Sequence, residues 1–471
     1  MKFDPKSHRG YRGLPTLAGL ATLEEAAKPG LAVEESVARL KRFHYCLVRL
    51  HEILTARITA EPIYELKTAF SHHAYLCAEH VQALRNRVAE MREPPLGLEA
   101  VPHPGLRLAF DGILAAESTE TLLLGIYDVA LPMLDEAMAR HQRDTNPLTD
   151  APSNRVLRFV RLEIGDMIAF GKQAIPCLIA DRPGDWLTHL ATCFASAGGV
   201  DGLASASAPP VPVRRSQPYV YDRVPRRDER WRDPWNQGVN AEVFLYDETM
   251  PARAKALMML YKRLREIDVP EMMASIIHET KGKPWEYYVG MSRQLWDEAR
   301  HAMMGEVGFV ALGVDWTQVR ITLNWSHRLN TECTPLERHA VLYFIEQGLM
   351  TKTGKRYEWE VAGESGIPLM ATIQDFDWAD EVLHAQLGRE WYIPAVGDRK
   401  QALDYGDQCW TRILSNWQTV LDQGLTEHAN WWPEIYRQAC VNWNEPPDPK
   451  ALAFAETYAG ARADLRIVGS G

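Results

Sequence analysis

The sequence predicts an all-α fold: two four-helix bundles in tandem, with further helices at the C-terminal end. Three observations predict it. Apolar residues recur at steps of three and four along most of the chain, and alternating strand patterns are nearly absent. A segment rich in Pro, Gly and small residues, 195–247, separates two such helical runs. The pattern Asp-Glu-x-x-His occurs twice, as DEARH at 297–301 and DEVLH at 380–384, each inside an apolar helical pattern.

The elements follow in order. Residues 1–31 are an N-terminal extension. Residues 32–60 carry the first helical pattern, and a turn near Glu61-Pro62 leads into a second, 62–92. The prolines and Gly97 of the stretch MREPPLG stop it. A third pattern covers 107–142, with an interruption at Glu117-Ser118-Thr119, and a fourth covers 152–180. These make a first bundle over 32–194. The linker follows at 195–247, and its basic run VRRSQPYVYDRVPRRDERWR (213–232) reads as a solvated segment. Helical patterns resume at 251–280, 285–313, 335–351 and 366–390, a second bundle within 248–395. Further helices at 399–424 and 428–442, and a tail at 449–471, form a C-terminal extension, 396–471.

Bulk properties exclude several classes of function. The 471 residues are 46% hydrophobic and 24% charged, an ordinary globular balance that can fill more than one core. A net charge of −10 argues against a nucleic-acid partner. The seven cysteines are odd in number and contain no C-x-x-C pair, which fits reduced thiols. No long uninterrupted apolar run and no apolar leader are present, so a cytoplasmic protein without a membrane partner is expected.

The two Asp-Glu-x-x-His motifs carry the chemistry. Tyr288, Met291, Leu295, Glu298, His301 or Ala302, Gly305 and Phe309 share one helix face. Leu369, Ile373, Phe376, Glu381, His384 and Leu387 or Gly388 make a second stripe. A Glu and a His three apart project together and can hold one cation. With 15 histidines, about one Glu-x-x-His is expected by chance. Two occur, both preceded by Asp and both on apolar stripes. An isolated buried carboxylate would shift its pKa and neutralise. Two such pairs on neighbouring helices are more simply satisfied by divalent cations.

Two further carboxylates are needed. Glu346 shares an inward stripe with Ala340, Tyr343 and Met350, and it precedes Glu381 by 35 residues, a suitable interval for an antiparallel neighbour. Glu337 belongs at its helix start, where an acid complements the dipole. On 251–280, Glu266 mirrors Glu298 about the turn at 281–284. Glu271 lies on the more apolar stripe Leu260, Leu264, Ile267, Glu271, Ala274, and Asp268 is a third candidate. Asp297 and Asp380 are placed to accept from imidazole N–H groups and fix ring orientation, or else lie solvated on the helix flanks.

Residues 250–395 thus resemble the ferritin-like di-iron carboxylate superfamily, which takes one Glu from each of two helices and one Glu-x-x-His from each of the other two. The resemblance covers about a third of the chain. It implies bridging carboxylates at Glu298 and Glu381, terminal ligands at His301 and His384, and further ligands at Glu346 and at Glu266 or Glu271. Arylamine N-oxygenases of the family place a histidine ligand one turn before the last Glu. Asp377 stands there in this chain, a departure that assigns it an outer role with Asp297 and Asp380. Tyr343, one turn before Glu346, is a candidate redox-active phenol, as in the ribonucleotide reductase small subunit of that superfamily, or else a packed core tyrosine.

The first bundle echoes the spacing without the ligands: Glu79-x-x-Gln82, Glu163-x-x-Asp166, and Asp128 at 35 residues before Glu163, with His72, His73 and His80 on its second helix. A structural bundle that binds no di-iron pair is expected there. The resemblance implies an enzyme with two Fe ions (alternatively Mn/Fe or Mn2 acting on peroxide) that activates O2 to oxidise or hydroxylate a small organic substrate. An external electron donor and a possible homodimer belong to that expectation. The alternative is a non-enzymatic iron-binding or ferroxidase-type protein.

Overall fold

The computed structural model describes residues 8–92, 97–180, 182–210, 219–351, 354–414 and 417–458. It is helical throughout, and no strand occurs among the described residues. The chain divides into two compact units. Unit 1 comprises 1–53 and 76–220, and unit 2 comprises 54–75 and 221–471. Among the described residues no helix is long and apolar enough to cross a membrane.

Helices α1 (Val33–Ile58) and α2 (Tyr64–Ala89) each contribute to both units, because residues 54–75 belong to unit 2. The rest of unit 1 is α3 (Pro104–Leu114), α4 (Thr119–Leu123), α5 (Leu131–Asp144), α6 (Ala151–Leu178) and α7 (Gly184–Ser196). The interruption expected at 117–119 is real. Ser118 and Thr119 restart the chain through a capping box in which Ser118 Oγ accepts from the Thr121 amide. A π-helical turn over Leu124–Ala130 then leads into α5. Helix α6 packs on α5, and α7 packs on α3. The prolines of MREPPLG (Pro94, Pro95) and the first part of the basic run (213–218) lie outside the described residues.

Unit 2 contains α8 (Ala252–Arg265), α9 (Asp268–Glu279), α10 (Trp285–Ala311), α11 (Asn324–Glu332), α12 (Pro335–Leu349), α13 (Lys355–Glu364) and α14 (Pro368–Trp391). Then follow α15 (Arg399–Leu414), α16 (Trp417–Asp422) and α17 (Trp432–Trp443). The pattern 251–280 is two helices, not one. Pro270 has no N–H to offer the Glu266 carbonyl and its ring crowds that carbonyl. The chain tightens there instead, with Val269 N–H donating to Glu266 O at 3.0 Å. Residues 351–365, between the expected helices 335–351 and 366–390, contain α13, whose sequence KRYEWEVAGE is short and polar.

Four helical segments close a ring in unit 2. Helices α8 and α9 pack on α10, α10 packs on α14, α14 on α12, and α12 on α9. Two glycines permit the closest approaches. A Cβ on Gly305 would meet Leu264 N at 2.3 Å and Leu260 O at 2.8 Å, so α10 lies backbone to backbone against α8. A Cβ on Gly388 would meet the Tyr343 ring at 2.2 Å, which fixes α14 against α12. Thr334 and Glu337 form the capping box that starts α12, so Glu337 sits at the helix start as its position suggested.

Candidate metal centre

The ring of helices carries its carboxylates and imidazoles inward. Two groups form. Glu266, His301, Asp377 and Glu381 make one, and Glu298, Glu346 and His384 make the other. Within each group the ligating atoms lie within 4.8 Å of one another. All seven residues are buried except Glu266, which is partly so. Glu266 reaches the group because the break before Pro270 leaves it at the end of α8.

The two histidines face each other, with ring centroids 5.9 Å apart. Each turns Nδ1 to the carboxylates. His301 Nδ1 lies 3.3 Å from Glu266 and 3.8 Å from Glu298, and His384 Nδ1 lies 3.2 Å from Glu298 and 3.6 Å from Glu381. Glu298 therefore sits between both imidazoles. Each histidine turns Nε2 to the aspartate of the opposite motif. His301 meets Asp380 at 3.2 Å, and His384 meets Asp297 at 3.4 Å. The imidazole contacts expected of these aspartates thus run crosswise between the two motifs. Arg300 ties the crossing together, donating to Asp297 at 2.5 Å and to Asp380 at 2.6 Å.

Other expected residues are placed differently. Glu271 is buried but joins neither group. Lys67 at 2.8 Å, Arg227 at 3.1 Å and Ser326 at 3.0 Å occupy its carboxylate. Asp268 belongs to the same cluster, paired with Arg227 and Ser326. Arg227 falls within the run read as solvated, yet its side chain is buried, where it compensates two buried acids. Asp377, read as an outer residue, stands among the ligating atoms, 3.6 Å from His301 Nδ1. The steps 377, 381, 384 and 388 follow one helix face, and this turns Phe376 outward to 57% exposure. Tyr343 is buried, its ring against Tyr392 and its hydroxyl 3.4 Å from Gln347.

Sequence reasoning missed three groups. Lys355 contacts Asp377 and Glu381 at 2.9 and 2.8 Å. Arg263 pairs with Asp377 and with Glu266. Gln294 donates to Glu346 at 3.0 Å. Arg263 and Gln294 were findable by the three-residue step from Glu266 and the four-residue step from Glu298, respectively. Lys355 was not, because its helix was not recognised.

Electrostatics tests whether this donor set fits cations. Burial alone would lower the His301 pKa, but Asp380, Glu266 and Glu298 outweigh it and push it up to about 10. His384 is raised too, burial being overcome by Asp297, Glu298 and Glu381. Burial and the nearby Glu381 raise Glu346, while Lys355 and His384 hold Glu381 low against burial. Before metal binds, the two imidazolium rings balance part of the carboxylate charge. Metal binding takes their protons away, and the carboxylates of the two groups then outnumber the cations that touch them, Arg263 and Lys355. Moreover, Nδ1 of both histidines and one oxygen each of Glu266, Glu298, Glu346 and Glu381 are buried without a well-formed hydrogen bond. Such atoms are costly unless something binds them. Carboxylates in excess once the imidazoles are neutral, converging donors without well-formed hydrogen bonds and a mixed oxygen–nitrogen set fit bound metal ions.

In unit 1 the corresponding acids lie partly in solvent beside single bases, and the atoms without a well-formed hydrogen bond, such as His80 Nε2 and Gln82 Oε1, belong to other groups than these acids. Glu163 meets His80 at 2.9 Å, Asp128 meets Arg182, and Gln82 donates to Asn86 at 2.8 Å. His72, in the part of α2 that belongs to unit 2, stacks on Trp296.

Fold and site define an all-α helical-bundle protein with paired carboxylate–histidine clusters suited to metal. No family model, curated protein or solved structure matches the chain.

Proposed function

We propose that unit 2 is a di-metal centre of the ferritin-like di-iron carboxylate type and that the protein is an oxidoreductase activating O2 to oxidise a small organic substrate. The observation that supports this best is the convergence of six unbonded buried donor atoms on one volume between four helical segments. Two adjacent iron ions bound there would supply electrons to dioxygen, with an external donor restoring them.

The chain's own residues prepare the site. Asp297 and Asp380 accept from Nε2–H of the crossed imidazoles and thereby leave each Nδ1 lone pair for metal. Glu266, Asp377 and Glu381 supply hard oxygen donors on one side, and Glu298 and Glu346 supply them on the other. Arg263 and Lys355 neutralise part of this charge, so the carboxylates can stay close together before metal arrives. Met291 and Leu295, both fully buried on α10, keep bulk water from the centre.

The test is metal analysis of the full chain after anaerobic Fe(II) loading, with O2 consumption measured on the same sample. Two irons per chain and rapid O2 uptake are expected. No bound metal after loading would refute the reading.

A further inference from the structure

A cavity of about 180 Å³ opens on this cluster within unit 2, with Glu266, Glu298, Glu346 and Glu381 among its walls. Val269, Met272, Leu329, Val341, Phe344 and Ile345 make up much of the remaining wall. An apolar cavity of about 150 Å³ accommodates one benzene ring. The volume here therefore suits one ring with a short substituent.

Five cations and acids besides the cluster carboxylates also reach the wall, and each already has an internal partner. Arg265 pairs with Glu242 at 2.8 Å, and both meet the Tyr458 hydroxyl. Lys262 pairs with Glu358. Asp268 is held by Arg227 and Ser326. Arg263 is held by Asp377 and Glu266. A ligand headgroup bearing a carboxylate or an ammonium would have to open one of these buried pairs, and the group left behind would be buried and unpaired. A neutral ligand can lie against the apolar part of the wall without opening any of these pairs.

From this we infer that the substrate is an uncharged, mainly apolar molecule the size of one substituted aromatic ring, bound with its oxidisable end toward Glu266, Glu298, Glu346 and Glu381. The inference rests on the di-metal reading for the word substrate, but the binding it predicts does not require metal.

The experiment is ligand-observed NMR titration of the full chain with four probes of one ring: toluene, benzyl alcohol, benzoate and benzylammonium. Toluene and benzyl alcohol are expected to bind at least tenfold more tightly than either ion. Ile345→Trp, which fills the cavity from a partly exposed position, is expected to abolish binding of toluene. Phe344→Ala, which enlarges it, is expected to admit naphthalene. Benzoate or benzylammonium binding as tightly as benzyl alcohol would overturn the inference, as would unchanged toluene binding in Ile345→Trp. Iron stoichiometry on the same preparation reports separately on the di-metal reading. A protein that binds toluene but no iron would refute that reading alone.

Discussion

Units 1 and 2 space their acidic residues alike and use them differently. Asp128 precedes Glu163 by the same 35 residues that separate Glu346 from Glu381. In unit 1 these acids are partly exposed, and each is paired with a base, Asp128 with Arg182 and Glu163 with His80. In unit 2 they are buried, share their neighbours, and leave oxygens unbonded. Spacing places an acid on a helix face. What turns the face into a site is the absence of enough internal partners, and that depends on which helices meet. The sharpest test is a pair of substitutions. His384→Ala is expected to lose one metal per chain and all O2 consumption, while Glu163→Gln changes neither. Metal analysis by mass spectrometry decides it, and metal loss in Glu163→Gln would erase the distinction between the units.

Within unit 2 the two groups also differ. The group of Glu266, His301, Asp377 and Glu381 is touched by Lys355 and Arg263, whereas Glu298, Glu346 and His384 meet no lysine or arginine within 4.0 Å among the described residues. Lys355→Met leaves two buried carboxylates short of a partner. A loss of about 3–5 kcal/mol of stability is expected for breaking such a buried pair. Metal loading supplies the missing charge, so most of that loss should vanish in loaded protein. Thermal unfolding of both forms measures it. An equal loss with and without metal would mean that Lys355 is no part of the charge balance at this group.

Arg300 couples the groups. It holds Asp297 and Asp380, and through them the Nε2 atoms of His384 and His301. Arg300→Gln is expected to weaken metal binding at both groups by about 10–100-fold, the usual effect of removing an outer partner. Chelator competition measures both steps. A change confined to one step would show that Arg293, which also contacts Asp297 at 2.9 Å, suffices for the other.

How much of this the sequence disclosed follows from the range of the interactions. Glu298, His301, Glu346, Glu381 and His384 were legible because motif and periodicity are local properties of one helix. The break that frees Glu266 is local too, since Pro270 stands in the sequence, but a continuous apolar stripe concealed it. The fate of Glu271 was not legible. Its stripe is more apolar than that of Glu266, yet Lys67 and Arg227, more than 40 residues away in the chain, claim its carboxylate. Lys355 was hidden for a different reason. Helix α13 is short and rich in charge, and Lys355 meets Asp377 and Glu381 from 22 and 26 positions away, so nothing local marks the contact.

The smallest effect separates the cluster histidines from buried histidines elsewhere, those of unit 1 and also His73 and His339 of unit 2, which burial lowers. In unit 2, carboxylates raise the pKa of buried His301 to about 10. In unit 1, burial dominates, and it lowers His44 and His141 to about 4 each. Nearby arginines, Arg85 for His44 and Arg39 for His141, add to the lowering. An unfolded histidine titrates near 6.5. Between about pH 6.5 and 4 the unfolded chain therefore binds protons that folded unit 1 refuses, and unit 1 loses stability as pH falls through that window. Above it these two histidines are neutral in both states and contribute no slope. At pH 5.5 each should cost unit 1 about 1 kcal/mol. Hydrogen exchange in peptides from 131–144, corrected for the intrinsic rate, measures this on the full chain. His141→Gln should shrink the fall in protection between pH 7.5 and 5.5 by about that amount. An undiminished fall in the variant would place the acid sensitivity of unit 1 elsewhere than at His141.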